Sequence, residues 1–192
     1  MEKKTVRLEI KEKLKKLNQR ELHKFHKEIN SHISNSRLFL EGKVIMAYLA
    51  VPGEASVDAS ISTALSMGKT VCVPFILEEE GQMQAVRLVS LKKLGTDRFG
   101  IRTPQEPVEV IAPEDIDLVL VPGLGFTAQG DRLGKGKGYY DRYLPRCRNA
   151  VALGVAFEAQ RVPEAAADEQ DRQLDGFVTE RKVYRGTDEF EL

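Results

Sequence analysis

The run Asp117-Leu-Val-Leu-Val-Pro122 constrains the fold more than any other segment. It is apolar on both faces. A strand of this kind must be covered on both sides, which places it inside a mainly parallel sheet with helices on each face. The same character returns at Val44-Ile-Met-Ala-Tyr-Leu49, Thr70-Val-Cys-Val-Pro-Phe75 and Ala150–Phe157, with a short run at Gly176–Thr179. Between these runs the period changes. Asp58–Met67 reads as a helix closed by Gly68, and Tyr139–Arg146 as another. Met83–Val89 alternates and reads as a strand after the polar turn Glu78-Glu-Glu-Gly81. Strands alternating with helices predict an α/β fold in three layers, with a mainly parallel sheet flanked by helices.

Residues 3–40 precede this pattern and read as a helical hairpin flanking the sheet. Val6, Ile10, Leu14 and Leu17 fall at helical spacing, as do Leu22, Phe25, Ile29 and Ile33. Asn18 followed by Glu21 has the form of a capping box between the two stretches. Residues 95–115, with Gly95, Gly100, Pro104, Pro107 and Pro113, read as loop-rich. The 192 residues suit a single domain, 1–192, large enough to bury a core without disulfides or metals. Lys plus Arg equals Asp plus Glu at 29 each, which argues against a nucleic-acid coat or a membrane-surface protein. Cys72 lies in an apolar run and reads as core, and no CxxC spacing joins it to Cys147. His23, His26 and His32 read as surface residues of the early helices. The opening residues carry charge and no apolar leader, so a cytoplasmic location is expected.

The chemistry concentrates after the strand ending at Pro122. Gly134, Gly136 and Gly138 alternate with Lys135 and Lys137 and follow Arg132. Glycine lets backbone approach a ligand closely, and consecutive N–H groups beside cationic side chains form an anion site. The segment is not a P-loop, since GxxxxGK[ST] is absent. A solvated loop with lysines for solubility is the competing interpretation of spacing alone. Tyr139-Tyr140-Asp141 follows at once. Asp141 could hold magnesium together with phosphate oxygens.

Val121-Pro-Gly-Leu-Gly-Phe-Thr-Ala-Gln-Gly-Asp-Arg-Leu-Gly-Lys-Gly-Lys-Gly-Tyr-Tyr-Asp-Arg-Tyr-Leu144 resembles the signature of the 5-formyltetrahydrofolate cyclo-ligase family, the methenyltetrahydrofolate synthetases. The likeness extends to the basic first helix, the strand leading to Glu54, the Val73-Pro74 strand end, Phe99-Gly100-Ile101 and the acidic stretch ending in Asp175. The resemblance implies a NagB/RpiA/CoA-transferase-like sheet. It also implies ATP- and Mg2+-dependent conversion of 5-formyltetrahydrofolate to 5,10-methenyltetrahydrofolate, with ADP and phosphate released through a phosphorylated formyl imidate. Carried over by position, the ATP-binding residues are Lys3, Lys4, Arg7, Arg132, Gly134, Lys135, Gly136, Lys137, Gly138, Tyr139 and Tyr140. The folate side takes Leu49 and Glu54 together with Lys135, Gly136, Lys137, Gly138 and Tyr139. Lys137, Lys135 and Tyr139 are the catalytic candidates, and Asp141 and Asp175 the magnesium ligands.

The chain departs from the family pattern in places. Lys135 stands where many members carry arginine or an aromatic; lysine keeps the charge and loses the planar fork. Gln170-Asp171 stands where many carry His-Asp. The implied partners are reduced formylfolate and ATP, with no nucleic acid or membrane, and a monomer is expected. A non-catalytic folate- or nucleotide-binding homologue is the alternative, and RNA binding through the lysine-glycine loop a weaker one.

Overall fold

A computed structural model describes residues 3–77, 79, 81–97, 100–105, 107–163 and 173–185; of Lys3 and Arg185 it describes the backbone. Phe99 and Gln170-Asp171 lie outside the described residues. The first half runs α1 (Lys3–Lys15), α2 (Gln19–Ser34), α3 (Arg37–Glu41), β1 (Val44–Met46), α4 (Asp58–Ser66), β2 (Thr70–Ile76) and β3 (Met83–Arg87). Then come β4 (Leu94–Thr96), β5 (Arg102–Pro104), β6 (Val110–Ile111), β7 (Leu118–Pro122), β8 (Gly125–Phe126) and β9 (Arg132–Leu133). Last are α5 (Tyr139–Tyr143), β10 (Val151–Val155), β11 (Gly176–Val178) and β12 (Val183–Arg185).

The main sheet has eight strands in the order β12-β11-β10-β7-β1-β2-β3-β6. From β11 through β10, β7 and β1 to β2 every pairing is parallel, and antiparallel strands close both edges. The mainly parallel sheet read from the sequence is therefore present. Leu118, Val119, Leu120 and Val121 are all buried, as a strand covered on both faces requires. After β1 the chain adds β2 on one side; with β7, β10 and β11 it builds the other. The order thus reverses between β1 and β7. In open α/β sheets the ligand crevice lies beyond the carboxyl ends of the strands at such a switch point. The Asp117 carboxylate fixes the opposite end, accepting the Lys43 and Val44 N–H groups at 2.7 and 2.9 Å.

The capping box read at Asn18 is present: Asn18 Oδ1 accepts the Glu21 N–H at 3.0 Å, and Glu21 accepts the Asn18 N–H at 2.9 Å. The two early helices follow one another across a short turn, yet they pack on different partners. α2 lies on the sheet through Ile29 and Ile33 and against α4. Buried Asn30 joins α2 to α4: it donates to the Ser56 carbonyl and accepts from the Ser60 N–H and hydroxyl. α1 instead packs Val6 and Ile10 on Leu133 and Val162, beside the 3-10 turn Glu158–Gln160. Burying each such side chain contributes about 1.5–3 kcal/mol. A Cβ on Gly125 would lie 2.8 Å from Ile10 Cδ1, so the glycine lets Ile10 of α1 seat directly on the β8–β9 hairpin.

Several expectations need correction. His26 is not a plain surface histidine: its Nδ1 accepts the Ser56 N–H at 2.9 Å, and burial lowers its pKa. Residues 95–115 are loop-rich as expected, and the structure adds short strands that the sequence did not show: β4 and β5, paired as a ribbon, and β6 on the sheet edge. These strands are two or three residues long, too short for a period to register. The helix expected to reach Arg146 turns 3-10 at Leu144, one residue before Pro145. Cys72 is core as expected, with burial pushing its thiol pKa up to about 12.

Candidate active site

A cavity of about 330 Å3 opens at the carboxyl ends of β1, β2 and β7, where the strand order predicts one. Its size falls within the usual range for ligand sites, roughly 300–1,000 Å3. Leu49, Val51, Pro74, Ile76, Met83, Ile101 and Pro122 give it apolar walls. Its polar groups come from both sides of the switch point and from the β4–β5 ribbon, which adds Asp97, Arg102 and Thr103. The segment after β1 brings Glu54; β9 brings Arg132, the loop after it Gly134, Lys135, Lys137 and Gly138, and α5 Tyr139, Tyr140 and Asp141.

Glu54 is held from both sides. One carboxylate oxygen accepts the Val51 N–H at 3.0 Å within its own turn, and the other pairs with Lys135 Nζ at 2.6 Å. The two walls therefore meet at an ion pair across the cavity. Below it lie Tyr48 and Tyr140. Burial first, then the Glu54 charge, raises both hydroxyl pKa values, so each stays protonated. The Tyr48 hydroxyl donates to the Ala55 carbonyl and so fixes the Glu54 turn.

The basic loop is held by arginines. Arg132, with its side chain only 7% exposed, ion-pairs with Asp141 and lies over the Tyr140 ring. Arg7 donates from Nη2 to the Gly134 carbonyl at 3.1 Å, tying α1 to the loop. Arg142 donates from Nε to the Gly81 carbonyl at 2.8 Å and from Nη2 to the Lys137 carbonyl at 2.5 Å, tying the loop to the β2–β3 turn. Gly136 and Gly138 have φ of 101° and 66°, a backbone that side-chain-bearing residues rarely adopt. α5 is only five residues long, so attraction for an anion rests on the side chains and loop N–H groups rather than on a helix dipole.

The 5-formyltetrahydrofolate cyclo-ligase family model matches residues 1–180. This chain belongs to the 5-formyltetrahydrofolate cyclo-ligase family. It is 29% identical to the mouse 5-formyltetrahydrofolate cyclo-ligase over 189 residues, 93% of each chain. It is 26% identical to the Haemophilus influenzae enzyme of that name, over 88% of this chain and 92% of the other. The Aquifex aeolicus 5,10-methenyltetrahydrofolate synthetase structure superposes with a TM-score of 0.86 at 32% identity, covering 100% of this chain and 96% of that one. The Mycoplasma pneumoniae 5,10-methenyltetrahydrofolate synthetase gives 0.76 at 25% identity, covering 94% and 99%. The resemblance read from residues 121–144 is thereby borne out.

Most site residues expected from cyclo-ligase membership converge. Leu49, Glu54 and most of the 132–141 stretch share one cavity; Gly136 and Arg7 do not line it, and Arg7 holds the loop through the Gly134 carbonyl with Gly136 close to its guanidinium. Lys4 is solvent-exposed in the first turn of α1. Asp175 does not join the cavity. It sits level with Ala152 at the end where β10 and β11 begin, and its carboxylate accepts the Ala152 N–H at 2.7 Å. The donor set therefore fits a magnesium ion held by one carboxylate, Asp141, and phosphate oxygens. Among the described residues no group of three or more His, Cys, Asp or Glu gathers in a metal-holding arrangement. Arg142, Gln160 and Arg102 were not singled out from sequence. Gln160 donates to the Gly123 and Leu124 carbonyls where the chain leaves β7. Arg142 stands within the signature itself, the one signal that could have marked it.

Proposed function

We propose that the protein converts 5-formyltetrahydrofolate and ATP to 5,10-methenyltetrahydrofolate, ADP and phosphate. The observation that carries this reading is the shared cavity: a largely enclosed carboxylate faces a lysine-glycine loop across apolar walls, so a flat heterocycle and a triphosphate could lie side by side. Glu54 accepts N–H groups from the pterin edge once Lys135 releases it. Lys135, Lys137 and the loop N–H groups take the phosphates, with Arg7 and Lys4 on the outer side. The formyl oxygen attacks the terminal phosphorus and ADP departs. The neighbouring folate nitrogen then attacks the formyl carbon. The C–O bond breaks, phosphate leaves and the ring closes. An amide oxygen is a poor leaving group and a phosphate a good one, so ATP is spent on that exchange. Orientation and charge neutralisation are the protein's contribution. Tyr139, lining the cavity beside the loop, orients the reacting groups. Magnesium, held by Asp141, would supply further neutralising charge. Both cysteines are buried thiols, in keeping with a reducing cytoplasm.

The test is direct. Incubated with 5-formyltetrahydrofolate, ATP and magnesium, the protein generates the near-ultraviolet absorbance of the methenyl product, and omission of ATP abolishes it. Folate binding without product in the complete mixture would overturn the reading in favour of a non-catalytic binder.

A further inference from the structure

The cavity has a second polar station that the proposed reaction does not use. The β4–β5 ribbon packs against β2 and brings Asp97, Arg102 and Thr103 to the cavity wall. Asp97 is turned to its own loop, where its carboxylate accepts the Ile101 N–H at 2.9 Å. Arg102 is held differently. Its two terminal nitrogens donate to the two oxygens of Asp58, at 2.7 and 2.9 Å, in a bidentate pair. Asp58 is the first residue of α4, so the pair links the ribbon to a helix 44 residues away in sequence. Arg102 keeps 36% of its side-chain surface exposed. A guanidinium has more N–H donors than Asp58 takes, and its fork loses little entropy when a second ligand arrives, because it is already fixed.

We propose that Arg102, oriented by Asp58, binds the carboxylate of the substrate's glutamate tail. The inference rests on the cyclo-ligase reading. Two other cavity cations are already paired within the site: Lys135 with Glu54 and Arg132 with Asp141. Lys135 lies in the loop after β9 and Arg132 in β9 itself, both on the side of the proposed phosphate wall. A folate also has an apolar aminobenzoyl ring and an anionic tail beyond it. Pro74, Ile76, Met83 and Ile101, from the ends of β2 and β3 and from the ribbon, offer the ring an apolar surface. Arg102 follows Ile101 directly and supplies planar donors suited to a carboxylate. Asp58 acts through Arg102 and is a positioning residue. A pair serving only to staple the ribbon to α4 would be indifferent to whether the substrate has a tail.

The experiment compares 5-formyltetrahydrofolate with 5-formyltetrahydropteroate, which lacks the glutamate, in wild type, Arg102→Gln, Arg102→Lys and Asp58→Asn. Arg102→Gln lowers kcat/KM for the tailed substrate by about tenfold to a hundredfold, through KM, and leaves the tail-less substrate unchanged. Arg102→Lys retains part of the preference, and Asp58→Asn loses part of it. Equal losses on both substrates, or none on either, would overturn the inference. Calorimetric binding of the two compounds gives the same comparison without turnover. A wild-type protein that forms no product but binds the tailed compound more tightly through Arg102 would sink the catalytic reading and leave the subsite standing.

Discussion

The two walls of the cavity are stiffened by opposite means. The wall after β1 is self-supporting: Glu54 folds onto its own turn through Val51, and Tyr48 fixes the next residue, Ala55. The wall after β9 is built from glycine and lysine, and its backbone carbonyls are held from outside, Gly134 by Arg7 on α1 and Lys137 by Arg142 on α5. The proposed reaction would use the two walls differently: the self-supporting one to recognise the pterin edge, and the one held from outside to take a phosphate chain that enters, reacts and leaves. The ion pair between Glu54 and Lys135 is the seam between them, and in that reading each substrate displaces one side of it.

The largest expected effect comes from removing charge on the glycine wall. Lys137 is exposed on the loop, so Lys137→Ala leaves the thermal melt unchanged. It lowers kcat by about 10²–10³-fold, the scale for losing a group that stabilises developing charge. Full activity in this variant would remove Lys137 from the reacting phosphate.

A crossed pair of variants separates the walls. Glu54→Gln keeps an oxygen for the Val51 N–H but loses the charge that faces Lys135. It raises KM for 5-formyltetrahydrofolate by about tenfold to a hundredfold and alters KM for ATP little. Arg7→Met frees the Gly134 carbonyl while leaving Val6 and Ile10 to dock α1. It raises KM for ATP by about tenfold and spares the folate. If both variants disturb both substrates equally, the walls are not separate stations and the comparison fails.

How much of this could be read from sequence follows from the same physics. β7 and β10 were legible because strands covered on both faces repeat apolar residues without interruption. β8, β9 and β12 were not, since two or three residues carry no period. The loop announced itself as an anion site through glycines beside lysines. Glu54 did not, because a lone acid after a strand has many uses, and only the family resemblance marked it. Arg102 and Arg142 were silent for another reason. Their partners, Asp58 and Gly81, lie 44 and 61 residues away, and nothing local encodes such pairs. Asp175 shows the converse. The resemblance carried it into the site, while parallel register holds it at the other end of the strands, paired with the Ala152 N–H.

That placement yields the smallest predicted effect and the sharpest contrast between two carboxylates. Asp141 lines the cavity and is paired with Arg132, and the proposed reaction has it exchange that guanidinium for a metal ion. Asp141→Asn should raise the magnesium concentration needed for half-maximal rate by about tenfold, the cost of one charged contact. Asp175→Asn keeps an oxygen that can accept the Ala152 N–H and touches neither substrate. It should lower stability by no more than about 1 kcal/mol and leave the magnesium titration where it was. Titrating magnesium against rate in both variants, beside their thermal melts, decides the point. If Asp175→Asn shifts the magnesium curve as far as Asp141→Asn does, the two carboxylates come together when substrates bind, and the strand ends would have to move to bring them there.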